Sequence, residues 1–207
     1  MILIGQYDSP FTRRVGIALK LYNMPFEHRP WSTFGDADKI RHYSPMTRVP
    51  VLVLDDGDVL IESHLILDYL DSQVANPLYP REEPARHRAL KIAALATNLS
   101  DKAVSLFYEL NFHETISDLY AGRCRTQIKG ALAALEASRA AAKSSFWFGE
   151  TMGHADIAVA CTLRHFTDAY PDMVSMADYP ALKAHAAKHE AMAIFQEIQQ
   201  AFIPPSK

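Results

Sequence analysis

Ser9 stands just ahead of Pro10, where a short β-prone run, Ile2 to Tyr7, gives way to a helix-like pattern. A serine there can cap the helix. Its hydroxyl can equally donate to an anion that the helix dipole favours. Tyr7 offers a rival hydroxyl two residues earlier. The residues alone leave the choice open. Glu62-Ser63 places a carboxylate and a hydroxyl at the start of a second helix-like segment. A carboxylate suits an ammonium, whereas a hydroxyl and the first free amides suit a carboxylate. The plain alternative is again an N-cap. Pro50 heads an apolar run, a place where a central strand tolerates proline badly because one ladder hydrogen bond is missing. His185 and His189 lie four apart in a stretch of helical periodicity, a spacing that could hold a metal. No third ligand or acidic partner is evident and no HExxH motif exists, so no metal site is expected.

The elements that must position these residues fall into two groups. The first is βαβ, a loop, then ββα. Strands are expected over 2–7, 26–31, 49–54 and 59–61. Val15, Ala18, Leu19 and Tyr22 give the first helix one apolar stripe. A short helix is expected over 36–43. Asp55-Asp56-Gly57-Asp58 is a hairpin signal, and Ile66, Tyr69 and Leu70 continue the helix opened at Glu62-Ser63. Residues 76–84 hold three prolines and read as a linker. Beyond it the periodicity is helical, over roughly 85–111, 114–140, 154–170, 179–188 and 190–201. Residues 155–163 are nearly apolar all round, as expected of a helix at the centre of a bundle. The expected domains are 1–76 (α/β), a linker at 77–84, and 85–207 (all-α).

Composition narrows the function classes. Of the 207 residues, 49% are hydrophobic and 22% charged, a globular balance. The net charge of −3 shows no basic patch of the kind that nucleic-acid binding needs. The two cysteines, Cys124 and Cys161, are far apart and form no CxxC pair, which fits a reducing compartment. The first residues lack the basic leader and long apolar core of a signal peptide, and no run is long enough to span a membrane. A cytoplasmic protein is expected, with neither nucleic acid nor membrane as partner.

At this point the chain resembles the glutathione transferase superfamily over essentially its whole length. Four matches in order carry the resemblance: Ser9-Pro10-Phe11 after the first strand, Arg48-Val49-Pro50 before the third, Glu62-Ser63 opening the third helix, and Gly149 through Asp156 leading into the buried helix. The Ser9-Pro10-Phe11 start and Asn98-Leu99-Ser100-Asp101-Lys102-Ala103-Val104 are most similar to bacterial serine-type members.

The resemblance implies a thioredoxin-like N-terminal domain followed by an all-α helical bundle, in a homodimer. It implies glutathione as co-substrate, no separate cofactor, and an apolar electrophile as second substrate. Ser9 then becomes the thiol activator. A free thiol has a pKa of about 8.5, and lowering it by ~2 units means stabilising the thiolate by nearly 3 kcal/mol. Where thioredoxin-like folds carry a redox dithiol, this chain has Ser9-Pro10-Phe11-Thr12, so dithiol exchange is excluded.

The resemblance also makes the Val49–Pro50 bond cis, with the Val49 backbone pairing to the cysteinyl part of the tripeptide like an added strand. Glu62 and Ser63 hold the γ-glutamyl end. Arg48 and His42 are either partners of the glycyl carboxylate or solvated charges. Asp101 reaches the γ-glutamyl ammonium of a partner subunit, although Thr97-Asn98 departs from the acidic, glycine-containing pair expected there. Trp31, Phe34, Phe107, Tyr108 and Phe112 either wall the electrophile pocket or belong to the core. Arg13 and Arg14 are expected to have a surface or interface role. Asp156 is implied to be a structural cap, with Gly153 standing where a serine or threonine is usual. Rival readings keep the fold and change the activity: a silent binding or regulatory protein, or a glutathione-dependent isomerase or dehalogenase.

Overall fold

The computed structural model describes residues 1–204. Four strands form one mixed sheet: β1 (Ile2–Ile4), β2 (Glu27–Arg29), β3 (Val51–Val53) and β4 (Val59–Ile61), in the order β2-β1-β3-β4. β1 and β2 are parallel, and β1-β3 and β3-β4 are antiparallel. Alternation splits the sheet into two faces. Ile4, Val51 and Val53 form one buried cluster with Ile40, and Trp31, Tyr43 and Val49 pack against it. Ile40 comes from α2 (Ala37–Arg41), which covers that face. Leu3 and Leu52 are fully buried on the other face, against α1 (Pro10–Leu21) and α3 (Ser63–Ser72). The strands are shorter than the sequence runs suggest, because their outer residues leave the ladder to form the loops around the sheet.

The remaining helices are α4 (Ala85–Phe112), α5 (Asp118–Ala141), α6 (His154–Ala169), α7 (Pro180–Glu190) and α8 (Ala193–Glu197). α4 packs against both α5 and α6. α6 is buried on nearly every side, as its sequence requires. α5 begins at Asp118 rather than near residue 114, because Ser117 is extended and its hydroxyl caps the Tyr120 amide. Cys124 and Cys161 are both buried and neither forms a disulfide.

Among the described residues the chain divides into two compact units, one holding 1–79 and 190–204, the other holding 80–189. The residues after Glu190 were expected within the helical domain; they cluster instead with the sheet. The reason is Arg13, which is 2% exposed and contradicts the surface or interface role read for it. Its guanidinium holds both carboxylate oxygens of Glu190 at 2.6 and 2.9 Å and donates to the carbonyls of Phe195 and Ile198 at 2.8 and 2.7 Å. Those carbonyls lie at the end of α8, where a helix lacks internal donors. Arg13 therefore stops α8 at Glu197, short of the helix expected to residue 201. Arg14 is also buried.

Candidate functional site

The register fixes where the sequence-derived site residues meet. Ile4 is opposite Val51, and Val51 is opposite Ile61. The chain after β1, before β3 and after β4 therefore leaves the sheet at one end. That end receives the Ser9 loop, Val49-Pro50 and Glu62-Ser63. Gly5 makes the convergence possible. Its φ is +129°, and a Cβ there would lie 2.5 Å from Thr12 Oγ1 and 2.8 Å from Val49 Cβ. Only a glycine lets the exit of β1 pass so close to both α1 and the Val49 loop.

Ser9 is the N-cap of α1, with φ −70° and ψ 120°, and Pro10 begins the helix. Its Oγ accepts from the Thr12 amide at 3.4 Å. That long cap uses a lone pair and leaves the hydroxyl proton for another acceptor. The hydroxyl is half-buried at the positive end of a twelve-residue helix.

Tyr7 is held differently. Its ring stacks on His28 with centroids 3.8 Å apart and planes 12° from parallel. It also lies over α1 at Gly16, where a Cβ would meet Tyr7 Cε1 at 2.8 Å. Burial, and secondarily the Glu197 carboxylate, pushes the phenol up to about 12. Burial lowers the His28 ring below its ordinary value, and its Nε2–H donates to the Gly5 carbonyl at 2.8 Å.

The Val49–Pro50 bond is cis. Pro50 is buried, and Val49 lies two residues outside the β3 ladder. Arg48 is exposed beside it. His42 is exposed too, its Nδ1–H donating to the Asp38 carbonyl at 2.7 Å. Trp31 packs on the β1–β3 cluster with Arg29 and Lys39 at 5.5 and 5.6 Å from its ring centre. Those contacts are packing contacts.

Glu62 is the N-cap of α3 at φ 72° and ψ 118°, a left-handed conformation unusual for a residue with a side chain. Its Oε1 accepts from the Ser63 hydroxyl at 3.3 Å and the His64 amide at 3.4 Å. Ser63 is buried and the Glu62 carboxylate is exposed. The pair therefore offers an anionic group outward at a helix start.

Asp101 and Tyr108 belong to the second unit. They are seven residues apart on α4, hence on one face. Asp101 is half-buried, and Tyr108 is 38% exposed with its ring 5.5 Å from that of Phe112. Phe107 packs edge-on against Phe112 and Tyr170, at 6.5 and 6.4 Å.

Asp156 caps α6. Its two carboxylate oxygens accept from the Trp147 amide at 2.8 Å and the Gly153 amide at 3.0 Å. The fold also brings His185 and His189 to it: side-chain atoms of the three lie within 4.8 Å of one another, all buried. The acidic neighbour that the linear spacing did not reveal is thus present. Each ring already donates to a carbonyl, His185 Nε2 to Asp156 at 3.0 Å and His189 Nδ1 to His185 at 2.8 Å. Arg139 and Lys188 carry positive charge toward both rings. Two adjacent cations oppose a third, so the cluster reads as a packed polar network.

Gly5, Asp8 and Gln200 are parts of the first site that sequence reasoning missed. Gln200 Oε1 accepts from the Tyr7 amide at 3.2 Å, and Asp8 Oδ2 accepts from the Ile203 amide at 3.1 Å. Only the glycine leaves a local signal, a φ that must turn positive at a strand end.

Known proteins resemble this chain in sequence and fold. The family description "Glutathione S-transferase, N-terminal domain" matches residues 3–78, and "Glutathione S-transferase, C-terminal domain" matches residues 87–188. The Escherichia coli K12 protein described as the uncharacterized GST-like protein YibF is 32% identical over 102 residues. That match spans 49% of this chain and 50% of YibF, about half of each. A glutathione S-transferase of Methylobacterium radiotolerans JCM 2831, solved in complex with glutathione sulfonate, superposes with a TM-score of 0.89 at 25% identity, covering 100% of this chain and 99% of that one. A glutathione transferase family member of Pseudomonas fluorescens Pf-5, with bound glutathione, has a TM-score of 0.83 at 30% identity and covers 99% of both chains. With both domain descriptions matched in order and a relative of this identity covered end to end, the chain belongs to the glutathione S-transferase superfamily.

Proposed function

We propose that the chain binds glutathione at the end of the sheet where Ser9, Val49-Pro50 and Glu62-Ser63 converge, and joins it through its sulfur to an apolar electrophile. The observation that carries this reading is the Ser9 hydroxyl at the N-terminus of α1, its proton left available by the cap. The two structural relatives that hold glutathione or its sulfonate support the ligand class.

In this reading Val49 offers backbone groups outside the ladder to the cysteinyl unit. Glu62 accepts from the γ-glutamyl ammonium, and Ser63 with the first amides of α3 holds the adjoining carboxylate. Arg48 and His42 are candidates for the glycyl carboxylate. Asp101, Trp31 and Tyr108 are proposed as further contributors, and the working form as a homodimer in the cytoplasm. No helix among the described residues is long and apolar enough to cross a membrane.

The chemistry is ordinary nucleophilic transfer. The thiol loses its proton to solvent, and the thiolate is held by the Ser9 hydroxyl. Its electron pair then forms a carbon–sulfur bond. In addition, a proton completes the product; in substitution, the leaving group departs with the electrons of the broken bond. A hydrogen bond to a charged acceptor supplies about 1.5–3 kcal/mol and a helix N-terminus about 0.3–1 kcal/mol. Together they reach the nearly 3 kcal/mol that a shift of ~2 units requires. Tyr7, buried against His28 and Gly16, is the weaker donor in this reading.

Ser9→Ala tests it. The bound-thiol pKa should rise by about 1–2 units, and turnover of a chromogenic chloronitrobenzene near neutral pH should fall about 10- to 100-fold. Unchanged values in both would remove Ser9 from the mechanism. A purified protein with no affinity for immobilised glutathione would remove the function itself.

A further inference from the structure

The turn that presents Ser9 lies beyond the ladder of the sheet, and the sheet reaches it through His28 of β2, on which the Tyr7 ring stacks. β1 ends at Ile4, and the last sheet-like bond beyond it is the Gly5 amide to the Arg29 carbonyl at 2.9 Å. The chain then closes a turn, with the Ser9 amide bonding the Gln6 carbonyl at 3.2 Å. Tyr7 and Asp8 are its two central residues. Both are held by a segment nearly two hundred residues away: the Tyr7 amide donates to Gln200 Oε1 at 3.2 Å, and the Ile203 amide donates to Asp8 Oδ2 at 3.1 Å.

That segment is itself anchored to α1 close by. Arg13 bonds Glu190 and the carbonyls of Phe195 and Ile198, and Lys20 pairs with Glu197 at 2.6 Å. An Ile198 methyl lies 3.1 Å from where a Cβ on Gly16 would sit, beside the Tyr7 ring. The segment after α8 is therefore fixed at its base and grips the Ser9 turn with its far end.

We propose that Gln200 is a positioning residue for Ser9, and that residues 198–203 act as a brace setting where the Ser9 hydroxyl points. The inference rests on the assignment of Ser9 as thiol activator. Gln200 touches neither substrate in this account. It acts through the Tyr7 amide, which precedes Ser9 by two residues in the same turn. Loss of the brace leaves that amide without its acceptor and loosens the hydroxyl. Val49 sits on the loop before β3 and Glu62 and Ser63 at the start of α3, so tripeptide affinity should be spared.

The test compares Gln200→Ala, Ile203→Pro and Ser9→Ala with the parent chain. Ile203→Pro deletes the amide that reaches Asp8, at an exposed position, and stiffens the chain there. Two readouts are followed: the ultraviolet titration of enzyme-bound glutathione thiolate, and kcat and KM for a chloronitrobenzene. For Gln200→Ala the bound-thiol pKa should rise by about half a unit and kcat, below that pKa, should fall about threefold. KM for glutathione should stay unchanged. Ile203→Pro should shift the same readouts in the same direction. If Ser9→Ala shifts the titration and neither brace variant does, the brace is overturned and the Ser9 assignment stands. If the brace variants raise KM for glutathione while leaving the titration unchanged, the segment serves binding and the positioning role is overturned. If Ser9→Ala leaves the titration unmoved, the assignment fails and the brace falls with it.

Discussion

Glu62 holds φ at 72° with a full side chain attached, a conformation that costs about 1–3 kcal/mol and persists only where the surroundings impose it. It does so at the proposed γ-glutamyl end of the site, with the carboxylate facing outward. Replacement by glycine separates the two consequences. Glu62→Gly relieves the backbone and loosens the unfolded chain, leaving a net gain of up to about 1 kcal/mol in stability. The same variant should lose about tenfold in glutathione affinity, since a hydrogen-bonded charge pair of about 1.5 kcal/mol disappears. Denaturation and calorimetric titration measure the two effects; equal affinity for both proteins would rule out Glu62 as a ligand contact. At this scale Ser9, Val49-Pro50 and Glu62-Ser63 were legible because each is an unusual residue type at a recognisable boundary. Gly5, Asp8 and Gln200 were not. A single φ leaves little trace in sequence, and the partner of the Tyr7 amide lies 193 positions away.

Periodicity identified the helices well, because each buries one stripe against a neighbour. It failed at their ends, where single hydrogen bonds decide. α5 starts where Ser117 caps it, and α8 stops where Arg13 takes its last carbonyls. Arg13 itself was misread for the same reason, since its partners lie 177 to 185 residues downstream. α6 shows what a cap can carry. Asp156 binds the Trp147 and Gly153 amides together, so it ties the helix to the loop before it. Burial raises the carboxyl above its ordinary value, while those two amides favour the ionised form. Asp156→Ala should therefore cost about 2–4 kcal/mol, the penalty for two amides stripped of a carboxylate inside the fold. Urea denaturation measures it. A loss below about 1 kcal/mol would show that α6 is held by packing alone.

The His185–His189 pair makes the stability of the whole molecule depend on pH. Both rings are buried, tilted against each other with centroids 4.0 Å apart, and edged by Trp147 and Phe146. Burial first, then the neighbouring ring, holds His185 at about 3 against its ordinary 6.5, and burial also lowers His189. Facing them are Asp156 from α6, Arg139 from α5 and Lys188 from α7 itself; the carboxylate favours protonation and the two cations oppose it. A base whose folded pKa is depressed binds fewer protons folded than unfolded between the two values. Its contribution is complete above about 6.5 and drains away as pH falls, at up to about 1.4 kcal/mol per unit for His185. Asp156, raised in the folded state by burial, gives a slope of the opposite sign above its ordinary 3.8, and the two histidines act together against it. Urea midpoints should accordingly fall steadily from pH 7 to pH 5. His185→Phe removes the ring that is hardest to charge and keeps an aromatic edge for Trp147, so its midpoints should vary much less over that interval. A parent protein equally stable at pH 7 and pH 5 would mean that the pair opens to solvent, or finds a compensating proton site, before it is charged.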